Sequence, residues 1–444
     1  MAGINLTRNV LVSGTFRVLN MALMFVTSII CTRYLGVELK GQYSYLTTLV
    51  GFAWMALDLG ISKTYPYYLR KDEGCLSAFY TWSFVVFALA LAVLGGLGAA
   101  LLPRLNRLVS FSFSPAGWWI FIALIAFSQL TNQLRMVFLG LDKVKFNAVL
   151  QVVGQVAIIA LVGLAYFLVP GANRLYAVLL ALLGSLLVIT LPYLAGYARQ
   201  LKLSSLRPAF LWDTYKSGVR AFLSSLFILL LIRADIVILK RLTGYSSVGI
   251  YSLSAHIVDL LQIAANMVGS LLLVKLADTA DELRRWILMR RIFIMFVVFL
   301  GVANLVFALI GKPVIRLVYG AAFQGAYYST LWLIPASFGL SLGSLFNTYL
   351  WSKGFPLVST VVPLLALLLN IGLNFLLIPG MGIAGAALAS SICYCLWLAV
   401  ILLYEQKQSQ GRLFAQLVPQ REDWSELWQL ARNSLRPRPK EGRR

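Results

Sequence analysis

Apolar residues run through this chain in long blocks, and the polar positions fall between the blocks rather than alternating within them. A hydrocarbon core of roughly 30 Å takes about 20 apolar residues of helix to cross. Twelve stretches qualify, near 9–31, 43–62, 76–102, 117–138, 147–169, 175–197, 221–239, 249–273, 292–311, 327–350, 357–378 and 383–404. The pattern predicts an all-α integral membrane protein of about twelve transmembrane helices. The connections are short and leave no room for a soluble domain. The first block carries Arg17 near its middle and lacks a small-residue cleavage site, so it predicts a span and not a cleaved signal.

Composition points the same way. The 444 residues are 60% hydrophobic and 12% charged, with a mean hydropathy of +0.82, whereas soluble domains sit near about 45–50% and 25%. Charge adds orientation. Lysine and arginine number 38 against 16 acids, a net +22. With the N-terminus inside, 26 of the basic residues fall on inner segments and 9 on outer ones, while Arg17, Arg135 and Arg233 lie within spans. This positive-inside asymmetry predicts cytoplasmic termini and a multi-pass protein of the cell (cytoplasmic or inner) membrane. The basic excess then faces anionic membrane lipids, at roughly 1 kcal/mol per residue, so no nucleic acid is implied. The four cysteines give no disulfide framework. Cys393 and Cys395 are two apart on a helix with no histidine nearby, which argues against metal.

An internal repeat sets the organisation. RYLGVELKGQYS (33–44) and RLTGYSSVGIYS (241–252) match at an offset of 208 in Arg33/Arg241, Gly36/Gly244, Gly41/Gly249, Tyr43/Tyr251 and Ser44/Ser252. GLAYFLVPG (163–171) and GLNFLLIPG (372–380) match at an offset of 209, which predicts that Pro170-Gly171 and Pro379-Gly380 end their helices alike. Six helices per repeat is an even number, so both halves enter from one side and form parallel repeats. The expected division is an N-terminal six-helix lobe over 1–200, a basic cytoplasmic linker over 201–216, a C-terminal lobe over 217–404 and a basic tail over 405–444. Two segments read as interfacial amphipathic helices: 278–291, with Leu283, Trp286 and Ile287 on one face, and the tail around Trp424, Leu427, Trp428 and Ala431.

Ionisable residues inside a bilayer are expensive and face a cavity or a partner. Here they sort onto the first two helices of each repeat: Arg17, then Asp58, then Arg233 and Asp235, then His256 and Asp259. Symmetry would bring those four helices together at the centre. Arg17 and Arg233 are the cavity candidates. Asp58, near the inner end of its helix, suits either a cap or ion pair or a place in the cavity. Arg233 and Asp235 are two apart and point to opposite sides of their helix. His256 and Asp259 are three apart on one face, which suits either a proton carrier or a satisfied polar pair. Arg135 is close enough to an inner end to snorkel as an interface anchor. No metal-ligand spacing, phosphate loop or nucleophile beside a base is evident, so neither enzyme chemistry nor a cofactor is expected.

The segments YLGVELKGQYSYLTTLVGFAWMALDLGIS (34–62), FLGLDKVKFNAVLQV (138–152), IRADIVILKRLTGYSSVGIYSLS (232–254), VIRLVYGAAF (314–323) and LIPGMGIAGAALAS (377–390) resemble the polysaccharide flippases. These are the Wzx-like O-antigen and exopolysaccharide transporters of the superfamily that also holds the MATE exporters and lipid II flippases. The resemblance implies two lobes around a central cavity lined by helices 1, 2, 7 and 8. It implies movement of a polyprenyl-diphosphate-linked oligosaccharide from the inner to the outer leaflet by alternating access. Arg17 and Arg233 would then contact the headgroup or an anionic sugar. Asp58, Asp235, His256 and Asp259 would hydrogen-bond sugars, pair or couple to protons. Glycan-assembly proteins are further expected partners. The alternatives are a cation-coupled MATE-like exporter of small molecules, and a membrane enzyme of glycan assembly. Two features favour the polysaccharide branch: an arginine and not a carboxylate on helix 1, and a tail where lipid II flippases carry two more helices.

Overall fold

The computed structural model describes residues 2–109, 111–169, 171–196, 208–278, 282–353, 356–409 and 417, and these are almost entirely helical. Helix is the expected solution, because it satisfies every backbone polar group within one segment where lipid offers no partner. Among the described residues ten helices are long and apolar enough to cross a membrane, and a bent pair makes an eleventh candidate. The first of the ten belongs to a helical run Ala2–Asp58 that is broken at Gly36, where φ is 72°. Divided there, the run gives α1 (2–35) and α2 (37–58), which brings the candidate spans among the described residues to twelve.

The others are α3 (Leu76–Ala100), α4 (Pro115–Gly140), α5 (Val144–Leu168), α6 (Arg174–Ala195), α7 (Pro208–Thr243), α8 (Tyr245–Asp278) and α9 (Glu282–Val318). They continue with α10 (Ala321–Trp332 and Ile334–Ser352, bent by 59°), α11 (Val358–Met381) and α12 (Ile383–Gln408). The α10 bend has a local cause: Pro335 brings no N–H to the ladder just beyond the break. Each predicted span has its helix. Large apolar side chains such as Phe167, Leu309, Leu317 and Leu376 stand exposed on the outer surface of the bundle, as a lipid-facing surface requires.

The repeat is visible in the backbone. Gly36 and Gly244, matched at offset 208, both adopt positive φ (72° and 94°) and turn one helix into the next. Their partners Gly41 and Gly249 pack against each other's helices. A Cβ on Gly41 would lie 1.9 Å from the carbonyl oxygen of Tyr245, and one on Gly249 would lie 2.0 Å from that of Val37. Val37 and Tyr245 are themselves related by 208. The contact is therefore a pseudo-two-fold crossing of α2 and α8, which forms because glycine lets two backbones touch. It seals the two lobes together at the end where α1 turns into α2 and α7 turns into α8.

More contacts reinforce that seal. Arg33 Nε donates to the carbonyl of Val318 (2.6 Å), and Nη2 donates to that of Leu317, at the C-terminus of α9. Phe25 meets Tyr319 edge-on at 6.4 Å. The Lys240 ammonium lies over the rings of Tyr45 and Tyr245.

Three expectations need correction. The helix α11 continues through Pro379-Gly380, and the turn falls at Gly382 (φ 57°), so the second PG does not end its helix. The stretch 282–291 is the first part of α9 and not a separate surface helix. Its Trp286 is 4% exposed and packs on Tyr349 with ring centroids 5.0 Å apart. The expected linker 201–216 is helical from Pro208 onward, as the start of α7. The tail helix at 424–431 lies outside the described residues.

Candidate functional site: a cavity between the lobes

Two cavities lie between the lobes, one above the other along α1 and α8. The upper one, about 390 Å³, sits just beneath the Gly41–Gly249 crossing. From the N-terminal half it is lined by Thr27, Ser28 and Cys31 of α1, by Lys40, Tyr43, Ser44, Thr47 and Thr48 of α2, and by Gln155 of α5. From the C-terminal half come Arg233 of α7 and Ser252, His256 and Asp259 of α8. Ser44 and Ser252, paired by the repeat, face each other's lobes across it. The lower cavity, about 400 Å³, is lined by Arg17 and Asn20 of α1, Arg135 of α4, Asn147 and Gln151 of α5, and Asn266 of α8.

Within the upper cavity Arg233 and Asp259 form an ion pair, with Nη2 donating to Oδ2 at 2.6 Å. Asp259 thus pairs with arginine, and the His256–Asp259 couple suggested by their spacing is not made. The His256 Nε2 is buried with no hydrogen-bond partner among the described residues. Thr27 donates to Gln155 Oε1 at 3.1 Å, so part of the polar wall is self-satisfied.

Asp58 and Asp235, in contrast, line neither cavity. Each is 1% exposed and enclosed in its own lobe. Asp58 accepts from Ser62 Oγ (2.7 Å) and Gln133 Nε2 (3.2 Å), clasping the inner end of α2 to α4. Asp235 accepts from the Tyr251 hydroxyl, from Ser390 Oγ (3.1 Å) and from the backbone N–H of Ile236 (2.7 Å), tying α7 to α8 and α12. A buried carboxylate holding several donors is a satisfied structural group. Their expected place in the cavity is corrected on that ground.

Sequence reasoning missed two residues. The pattern makes Arg135 an interface anchor, yet it lines the lower cavity with Arg17, its Nη2 held by Asn132 Oδ1 at 2.7 Å. The apolar blocks start the second span near residue 43, which leaves Lys40 in an outer loop. The α2 helix begins directly after Gly36, so Lys40 is inside it and 8% exposed. The matched turn glycines are the signal that could have located this helix start.

Residues 6–274, which include all of α2 to α7, match the polysaccharide biosynthesis protein family. The chain belongs to that family. No curated protein matches it. Among solved structures, this polysaccharide biosynthesis family member is similar to an inward-facing multidrug resistance MATE family transporter of the MOP superfamily. The TM-score is 0.69 at 14% identity, over 92% of this chain and 98% of that one. It is also similar to the MATE multidrug transporter DinF-BH, solved as a complex, with a TM-score of 0.66 at 16% identity over 91% and 96%. A third is a MOP superfamily transporter from Pyrococcus furiosus, described as having a binding pocket of reverse polarity, with a TM-score of 0.62 at 14% identity over 92% and 96%. These likenesses establish a two-lobed transporter fold for the family member. They do not assign its cargo.

Proposed function

We propose that the protein is a flippase that moves a polyprenyl-diphosphate-linked oligosaccharide from the inner to the outer leaflet by alternating access. The observation that carries this reading is the lower cavity. Its described lining brings together two arginines, three asparagines and a glutamine, with no carboxylate among them. A cation exporter would want the opposite polarity. Arginine suits a phosphate because its planar fork donates paired, charge-assisted hydrogen bonds. Arg17 and Arg135 are the headgroup contacts in this reading, with Asn20, Asn147, Gln151 and Asn266 supplying neutral donors. Arg233 is neutralised locally by Asp259 and serves the upper chamber.

Membership of a polysaccharide biosynthesis family supports the glycan, and the orientation read from charge puts the lower cavity toward the cytoplasm, where such lipids are made. With the upper end sealed by α2 and α8, the arrangement corresponds to a state that loads from inside. The test is to delete the gene and extract the lipids. A polyprenyl-diphosphate oligosaccharide should accumulate in the inner leaflet with loss of surface polymer, and Arg17→Gln should reproduce this in a folded, inserted protein. Outer-leaflet accumulation would indicate a polymer-forming enzyme instead. Unchanged glycan with new sensitivity to cationic compounds would indicate the exporter.

A further inference from the structure

The upper cavity holds a cation that no described carboxylate neutralises. Lys40 is 8% exposed and lines the chamber. Its described interaction is with the ring of Tyr43, 5.2 Å from the ammonium to the centroid. The chamber's described lining contains one carboxylate, Asp259, and that group is already bound to Arg233 at 2.6 Å. A side chain this enclosed holds its charge most cheaply with an acceptor beside it. On the same wall His256 Nε2 is buried with no hydrogen-bond partner among the described residues. Both features are those of a site waiting for an anion.

We infer that the upper cavity is a second anion site, and that Lys40 reads a carboxylate carried by the glycan itself. This rests on the flippase reading above and narrows its substrate class to acidic oligosaccharides. The spacing supports two separate stations. On α1 the lower set (Arg17, Asn20) and the upper set (Met24 to Cys31) are centred about nine residues apart, roughly 14 Å at the helical rise. The two sets on α8 are separated by about the same length. A diphosphate at Arg17 and Arg135 would therefore leave the upper chamber to sugars farther along the chain. The chamber's walls fit that occupant: Thr27, Ser44, Thr47, Thr48 and Ser252 offer hydroxyls to sugar hydroxyls, and Lys40 offers a point charge rather than a fork. A phosphate could supply the same charge if the diphosphate climbs to Lys40 during transport, so the test separates the two sources.

The full-length protein in detergent would be titrated calorimetrically with farnesyl diphosphate, trigalacturonic acid and neutral maltotriose. Wild type should bind the diphosphate and the acidic trisaccharide together, neither displacing the other, and should bind maltotriose far more weakly. Lys40→Met should weaken trigalacturonic acid by about tenfold or more, the worth of a charge-assisted hydrogen bond, and leave farnesyl diphosphate unchanged. Lys40→Arg should retain most of the affinity, which controls for folding, and Arg17→Gln should show the reverse selectivity. Displacement of the trisaccharide by farnesyl diphosphate would overturn the inference in favour of a single migrating diphosphate. Equal binding of maltotriose, or an unaffected Lys40→Met, would also overturn it. Binding of trigalacturonic acid without any binding of farnesyl diphosphate would sink the lipid-diphosphate reading and leave the acidic-sugar site standing. Binding of neither would overturn both.

Discussion

The Gly41–Gly249 crossing makes a sharp prediction about the conformational cycle. A methyl group on Gly41 would have to move from 1.9 Å to an ordinary contact of 3.4 Å or more from the Tyr245 carbonyl, and the obstacle is backbone that cannot rotate away. The same holds for Gly249 against Val37. The helices α2 and α8 must separate, and the sealed state alone carries the clash, because an outward-open state has no crossing there. Overpacking a close contact costs about 1–3 kcal/mol. Placed on one side of a two-state equilibrium, that shifts populations by roughly 5- to 150-fold at 1.4 kcal/mol per decade. Cys31 provides the readout, since it is 2% exposed and lines the chamber directly below the seal. With Cys75, Cys393 and Cys395 replaced by alanine, a membrane-impermeant maleimide added outside should label Cys31 slowly in the parent. In Gly41→Ala and Gly249→Ala it should label faster by a factor in that range. Gly163→Ala, with nothing within 4 Å of its Cβ position, should leave the rate unchanged. Parental labelling rates in both seam variants, in protein that remains folded, would refute the view that this crossing is the outer seal.

Arg33→Ala should accelerate Cys31 labelling in the same direction, by an amount no larger than that of the glycine variants. It removes two exposed bonds to the α9 carbonyls, each worth about 0.5–1.5 kcal/mol. The Arg233–Asp259 pair should show a coupling of roughly 1–3 kcal/mol in a double-mutant cycle of Arg233→Gln and Asp259→Asn read by thermal unfolding; strictly additive losses would contradict the pairing. Asp58→Asn should lower stability by about 1–3 kcal/mol, by disturbing the Ser62 and Gln133 bonds. Export per folded molecule should be retained, and a transport defect at full stability would return Asp58 to the transport pathway.

The class of the protein, the number of its spans and the two-fold repeat were all legible in the order of residues. Each of these is a property of one segment against its solvent. A block of apolar residues must become a lipid-crossing helix wherever it ends up, and a glycine that turns the chain after helix 1 does so again 208 residues later. The candidate site was legible in part. Arg17, Arg233, His256 and Asp259 do line the space between the lobes, because a charge within a span needs either a cavity or a partner and the first two helices of each repeat border that cavity. Which of them meet was settled by packing. Helical spacing put His256 and Asp259 on one face, but the partner across the gap was Arg233 on α7. Asp58 and Asp235 found donors from neighbouring helices, Gln133 on α4 and Ser390 on α12, that no local pattern announces. Lys40 and Arg135 became cavity residues through the start of α2 and the rotation of α4. The physical reason is that a helix sequence fixes which residues share a face, while packing against other helices fixes what that face confronts.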